Sequence, residues 1–161
     1  MNVEFFRESE IILIRGANPI ASSLHFWTLA QEAKRRGAKL IAIDPYKSLS
    51  AEKCHQHIAL RPGTDAALAL GMIHVLIREN LVDRAYIDAH TLGFDELAER
   101  AAQYPPSRVA QICGISEDEI IDLARAFPSV RRRRPPFDSI TACSEREAVA
   151  MRSAPSPACR H

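Results

Sequence analysis

Ile11-Ile12-Leu13-Ile14-Arg15-Gly16-Ala17-Asn18-Pro19 and, further along, Leu40-Ile41-Ala42-Ile43-Asp44-Pro45 decide the fold. Each is an unbroken aliphatic run closed by a breaker, the pattern of a strand covered on both faces. Between them Leu24 to Arg36 carries helical spacing, with Leu24, Trp27, Ala30 and Ala33 on one face. Lys34, Arg35 and Arg36 fill its last turn, where cations favour the negative helix end, and Gly37 supplies the left-handed cap. Strand, helix and strand make a βαβ unit, which is right-handed almost without exception.

Working outward, His57 to Leu60 is a weaker third strand, followed by the turn Arg61-Pro62-Gly63-Thr64-Asp65. Ala66 to Arg78 is apolar nearly all round and predicts a buried helix, with Thr64 or Asp65 as its N-cap. Short helices are expected over Asp83 to His90, Phe94 to Ala102, Ser107 to Cys113 and Glu117 to Phe127. Ser116 followed by Glu119 is a capping box for the last of them. From Pro128 onward, Arg131 to Arg134, Pro135-Pro136 and scattered Ser, Pro and Ala show no periodicity. The expected architecture is α/β: a Rossmann-like parallel sheet with flanking helices, then a small helical segment and a disordered tail. Its divisions are a lead-in over 1–8, a dinucleotide-binding α/β unit over 9–80, a helical segment of the same domain over 81–127, and the tail over 128–161.

Composition bounds the function. A chain of 161 residues with 47% apolar character makes one ordinary domain with its own core. Net charge is +1, but the body through residue 127 is mildly acidic and the remainder basic. An acidic body argues against nucleic acid as the main partner, and Arg131–Arg134 reads as part of a solvated tail. The longest apolar stretch, Ala66 to Ile77, falls well short of the ~20 residues of a membrane span. Met1-Asn2-Val3-Glu4 shows no secretory pattern, and Cys54, Cys113, Cys143 and Cys159 form no CxxC pair. A reducing, cytoplasmic location is expected.

Three loops leave the carboxyl ends of the expected strands, where open parallel sheets bind ligands. Gly16-Ala17-Asn18-Pro19 brings backbone amides close to a guest, since Gly16 has no Cβ, and leads toward a helix N-terminus that favours anions. Asp44 stands where a carboxylate accepts from a ribose, and Asp65 has two oxygens for paired donors such as guanine N1 and N2. The plainer alternatives are a turn at Gly16–Pro19, a strand end at Asp44-Pro45 and a helix cap at Asp65. No GxGxxG is present, and Asp44 follows Gly16 by more than the ~20 residues usual for NAD. Cys54-His55-Gln56-His57 lacks a second ligand pair, so no metal site is assigned. His74 reads as a hydrogen-bonded core residue. No catalytic triad is legible, and no catalytic residue is assigned.

Residues 9 to 127 resemble the cofactor-binding core of the molybdopterin oxidoreductases, the group of formate dehydrogenases, nitrate reductases and dimethyl sulfoxide reductase. The segments that carry this are Ile14-Arg15-Gly16-Ala17-Asn18-Pro19, Ala38 to Pro45, and Arg61-Pro62-Gly63-Thr64-Asp65-Ala66-Ala67-Leu68. Asp83-Arg84-Ala85-Tyr86-Ile87 and Gly93-Phe94-Asp95-Glu96-Leu97 also look like the family. The resemblance implies a molybdenum or tungsten ion held by two molybdopterin guanine dinucleotides. Gly16, Ala17, Asn18 and Pro19 match the loop beside the phosphates and pterin, Asp44 and Pro45 the position near the nucleoside, and Gly63, Thr64 and Asp65 the segment that holds guanine.

The family pattern also includes an upstream iron–sulfur segment, a metal-ligating residue and a downstream second dinucleotide domain, none of which matches this chain. The expectation is a fragment that binds one dinucleotide, is not catalytically competent alone, and has the missing domains as partners. Ser129 to His161 does not resemble the next family strand and reads as translation in a shifted frame. The alternative is a non-catalytic nucleotide-binding module of the thiamine-diphosphate-enzyme central-domain or NAD/FAD type.

Overall fold

Alternation along the first strand divides the molecule into two layers. The computed structural model describes residues 3–129 and 139–141. In it, β1 (Ile11–Arg15) sends Ile11 and Leu13 into one buried cluster and Ile12 and Ile14 into the other. This is the period-two geometry of an extended chain buried on both sides. After β1 come α1 (Pro19–Ser22), α2 (Leu24–Arg35), β2 (Lys39–Ile43), α3 (Leu49–Glu52) and β3 (Gln56–Ile58). Then follow α4 (Asp65–Arg78), α5 (Arg84–His90), α6 (Phe94–Ala102), α7 (Pro106–Cys113), α8 (Glu117–Ser129) and β4 (Ser139–Thr141).

The described strands form one parallel sheet in the order β3-β2-β1-β4. The chain moves outward from β1 through β2 to β3, crosses back, and places β4 on the other side of β1. The order therefore reverses between β1 and β4, the kind of position where open α/β sheets take ligands. Register aligns Arg15 with Ile43 and Ile43 with Ile58, so three strands end together.

Against the Ile12 face pack Phe26, Trp27, Ala30 and Ala33 of α2, joined by Phe6 from a 3₁₀ helix over Val3–Glu8. The Phe6 and Phe26 rings meet edge-on with centroids 5.0 Å apart. The lead-in is thus part of this core layer. Leu24, expected on the buried face, is 66% exposed because it is the first residue of α2 and precedes the buried stripe. The helix stops as its sequence requires. Gly37 adopts φ +105°, its N–H donates to Lys34 O, and Ala38 N–H donates to Ala33 O, which is a Schellman cap.

On the other face α4 packs against α6, α7 and α8. Leu68, Gly71 and Val75 are its buried residues, while Leu70, Ile73 and Ile77 are half-buried. The expectation of burial all round is corrected: the described helices cover one side of α4. Gly71 permits a close approach, because a Cβ there would lie 2.9 Å from Val109 Cγ2 on α7. The capping box forms, with Glu119 N–H donating to Ser116 Oγ (3.2 Å) and Ser116 N–H to Glu119 Oε2 (3.0 Å).

Of the expected tail, residues 130–138 and 142–161 lie outside the described residues. The part described departs from expectation: α8 continues through Pro128 to Ser129, and Ser139–Thr141 is a strand paired with β1. A three-residue strand that follows a run of arginines and prolines has no pattern of its own; pairing with β1 defines it.

Candidate functional site

The first two loops leave the sheet side by side. Gly16 N–H donates to Ile43 O (3.0 Å), and Asp44 N–H donates to Ile58 O (3.1 Å), extending the ladder one step past the strands. Gly16 then turns at φ +57°, a left-handed conformation that costs glycine least, and it is exposed. Ala17 is half-buried and Asn18 exposed. Pro19 is buried at the start of α1, where its missing N–H costs nothing. Asn18 Oδ1 accepts from Ser50 Oγ at 2.6 Å, and Ser50 Oγ accepts from Ile20 N–H at 3.1 Å. Ser50 is buried in α3, so one hydroxyl fastens the first loop to the helix that follows the second.

Asp44 is half-buried and bends the second loop on itself, with Oδ1 accepting from Tyr46 N–H at 2.8 Å. This is an Asx turn. The Asp44 carbonyl is held by His57 Nε2 at 2.9 Å. Pro45, Tyr46 and Lys47 are exposed at the rim, Tyr46 by 74%.

The third loop is fastened from below. Arg61 N–H donates to Cys113 O (2.9 Å), Arg61 Nη1 donates to Gln111 O (2.9 Å), and Thr64 Oγ1 donates back to Arg61 O (2.7 Å). Gly63 is exposed with φ +79°. Thr64 occupies the N-cap position of α4 without a side-chain cap, since its hydroxyl is turned to Arg61. Asp65, the first residue of α4, does not cap either. Its Oδ1 accepts from Arg15 Nε at 2.9 Å, with both side chains about a quarter exposed. The expected capping role is thereby corrected: an ion pair to the end of β1 takes its place. Arg15 alternates with Ile11 and Leu13 and so reaches the α4 side of the sheet, which is why it meets Asp65.

Gly16–Pro19, Asp44-Pro45 and Gly63–Asp65 therefore start from one edge of the sheet, joined by Ser50–Asn18 and Arg15–Asp65. Sequence reasoning missed both joints. Ser50 carried no signal, whereas the parity of Arg15 with Ile11 and Leu13 was a readable one.

His55, His74, Cys54 and Cys113 are otherwise engaged. His55 Nδ1 accepts from Leu40 N–H (3.0 Å), and His74 Nδ1 lies 3.0 Å from Ala101 O, the hydrogen-bonded place expected for it. Burial pushes the Cys54 thiol up to about 11 against a smaller lowering by Lys34, and burial also raises Cys113. Both are free thiols and neutral near pH 7, far from nucleophilic thiolates. No three His, Cys, Asp or Glu side chains among the described residues gather as a metal site. No described helix is long and apolar enough to cross a membrane.

The family model "Molybdopterin oxidoreductase" matches residues 2–149. The match runs past Phe127 into the stretch that begins at Ser129. The chain is 38% identical over 119 residues to the probable oxidoreductase YoaE of Bacillus subtilis, covering 74% of this chain and 18% of that protein. It is 36% identical over 152 residues to acetylene hydratase of Syntrophotalea acetylenica, covering 92% of this chain and 20% of that one. With formate dehydrogenase H of Escherichia coli it shares 37% identity over 123 residues, covering 76% and 17%. The solved structure of acetylene hydratase from Pelobacter acetylenicus superposes with a TM-score of 0.70 at 36% identity, covering 83% of this chain and 18% of that one. The chain spans about a fifth of the length of these relatives. These matches do not favour a thiamine-diphosphate or NAD/FAD-type module.

Proposed function

The chain belongs to the molybdopterin oxidoreductase family, and from that premise we propose that its three loops grip one molybdopterin cofactor in the guanine dinucleotide form. The observation that supports this most is that Gly16, Asp44 and Asp65 lie along the carboxyl ends of the strands, with Gly16 and the Arg15–Asp65 pair at the end of β1, where the strand order reverses. The residues suit such a guest. Gly16 is exposed in a left-handed turn, where neighbouring amides can approach phosphate oxygens without a Cβ between them.

Gly16, Ala17, Asn18 and Pro19 are assigned to the phosphates and the pterin side. Asp44, with Pro45 fixing the bend, is assigned to the nucleoside: Tyr46 N–H occupies Oδ1, which leaves Oδ2 to accept from a ribose hydroxyl. Gly63 and Thr64 set the turn that presents Asp65, whose carboxylate accepts from guanine N1–H and N2–H₂. When bound, the group supplies a molybdenum or tungsten ion for redox chemistry. This chain's residues bind and orient; turnover is assigned to the cofactor together with the parts of a longer protein that this stretch does not include. A reducing, cytoplasmic setting goes with the proposal.

The test is a displacement panel on the 161-residue chain with guanosine, adenosine and flavin nucleotides. Guanosine diphosphate is expected to bind at least about tenfold more tightly than adenosine diphosphate, the scale of one charge-assisted hydrogen bond. Equal or tighter binding of adenine or flavin nucleotides would contradict the proposal.

A further inference from the structure

We infer that Arg15 is the residue that positions Asp65 for reading a guanine edge, a role that rests on the guanine dinucleotide reading above. Arg15 closes β1 and Asp65 opens α4, so the pair spans the two elements that frame the edge of the site. Arg15 Nε lies 2.9 Å from Asp65 Oδ1, and the side chains are 29% and 25% exposed. Most of each side chain is shielded, and the contact is directional rather than diffuse. The usual anchor of a carboxylate in the first helical turn, a hydrogen bond to backbone amides, is not made at this N-terminus. Among the described residues, Arg15 is the group that hydrogen-bonds to Asp65.

An ionised carboxylate offers about four acceptor sites. The Nε contact uses one on Oδ1 and so restrains the rotation of the carboxylate. The remaining sites, on Oδ2 and the second lone pair of Oδ1, are left for the two parallel donors of guanine. The guanidinium N–H points along a fixed direction in a rigid plane; a lysine ammonium at the same place supplies charge without that direction. The pair therefore acts on specificity, since ion pairs of this exposure add little stability.

Guanosine and inosine diphosphates differ by the 2-amino donor, so their affinity ratio reports the orientation of the carboxylate. Calorimetry on the full chain is expected to show native protein favouring guanosine over inosine diphosphate by about tenfold. Arg15→Met is expected to weaken guanosine diphosphate about tenfold and inosine diphosphate threefold or less, so that the preference falls to about threefold or below. Arg15→Lys is expected to lose most of the preference as well, with a melting temperature near native, and it carries the test if Arg15→Met does not fold. General damage to the site would weaken both nucleotides equally and leave the ratio unchanged. If both Arg15 variants keep the ratio while Asp65→Asn abolishes it, Asp65 reads the base unaided and the inference is overturned. If native protein shows no preference, the base-reading role of Asp65 fails, and the inference with it.

Discussion

Asp65→Asn is expected to weaken guanosine diphosphate binding roughly thirty- to hundredfold, since it removes one of two hydrogen bonds to a charged acceptor, worth about 1.5–3 kcal/mol. The substitution conserves shape and reverses part of the chemistry. One carboxylate oxygen becomes an amide nitrogen, which presents hydrogens to the hydrogens of guanine N1 and N2. It also removes the charge that Arg15 faces across 2.9 Å. The preference for guanine over adenine should disappear together with the affinity, because adenine carries an acceptor at N1. Asp83→Asn serves as the control. Asp83 caps α5 by accepting from Tyr86 N–H, asparagine is an equally good cap, and α5 lies outside the three loops. Its nucleotide affinity should match native protein. Unchanged affinity in Asp65→Asn would remove Asp65 from the site.

The second large effect concerns the ground on which Asp65 stands. Gly71→Val is expected to lower the unfolding free energy by about 3 kcal/mol, the upper end of the cost of overpacking a tight contact. A single Cβ at Gly71 would already lie 2.9 Å from Val109 Cγ2, and a β-branched side chain adds two further methyl groups. Val109 is fully buried and stiff at χ1, so the two helices must separate. Such separation moves α4, whose first residue is Asp65, relative to α7, whose end holds Arg61. Val109→Ala opens the missing space, so the double variant Gly71→Val/Val109→Ala should be more stable than the two single losses predict, by at least about 1 kcal/mol. Urea unfolding of the four proteins measures this, and strict additivity would show that the contact does not govern the helix separation.

How much of this was legible in the sequence follows from which signals are local. β1, α2 and β2 are legible because an aliphatic run, a helical stripe and a Gly37 cap all lie within a few residues of their effects. The Ser116–Glu119 box is legible for the same reason. α1 and α3 are one turn each, too short for any periodicity, although Pro19 at a helix start was a usable hint for the first. Phe6 looked like part of a lead-in because its partner, Phe26, is supplied by tertiary packing. β4 is a strand by virtue of its neighbour.

The candidate site divides the same way. The loops themselves were legible as breaker clusters at strand ends, and their order carried the family resemblance. The cap expected at Thr64 or Asp65 was not made, because Arg15 and the Arg61 carbonyl offered those side chains other partners. Arg15–Asp65 and Ser50–Asn18 join residues far apart in sequence, and no local pattern announces such pairs.

Hydrogen exchange on the full chain, with and without saturating guanosine diphosphate, tests the shared site most directly. Amides of Gly16–Asn18, of Asp44 and Tyr46, and of Gly63–Asp65 are expected to slow together, while those of α5 and the exposed face of α6 exchange at unchanged rates. Slowing confined to one of the three loops, or found outside them, would contradict it.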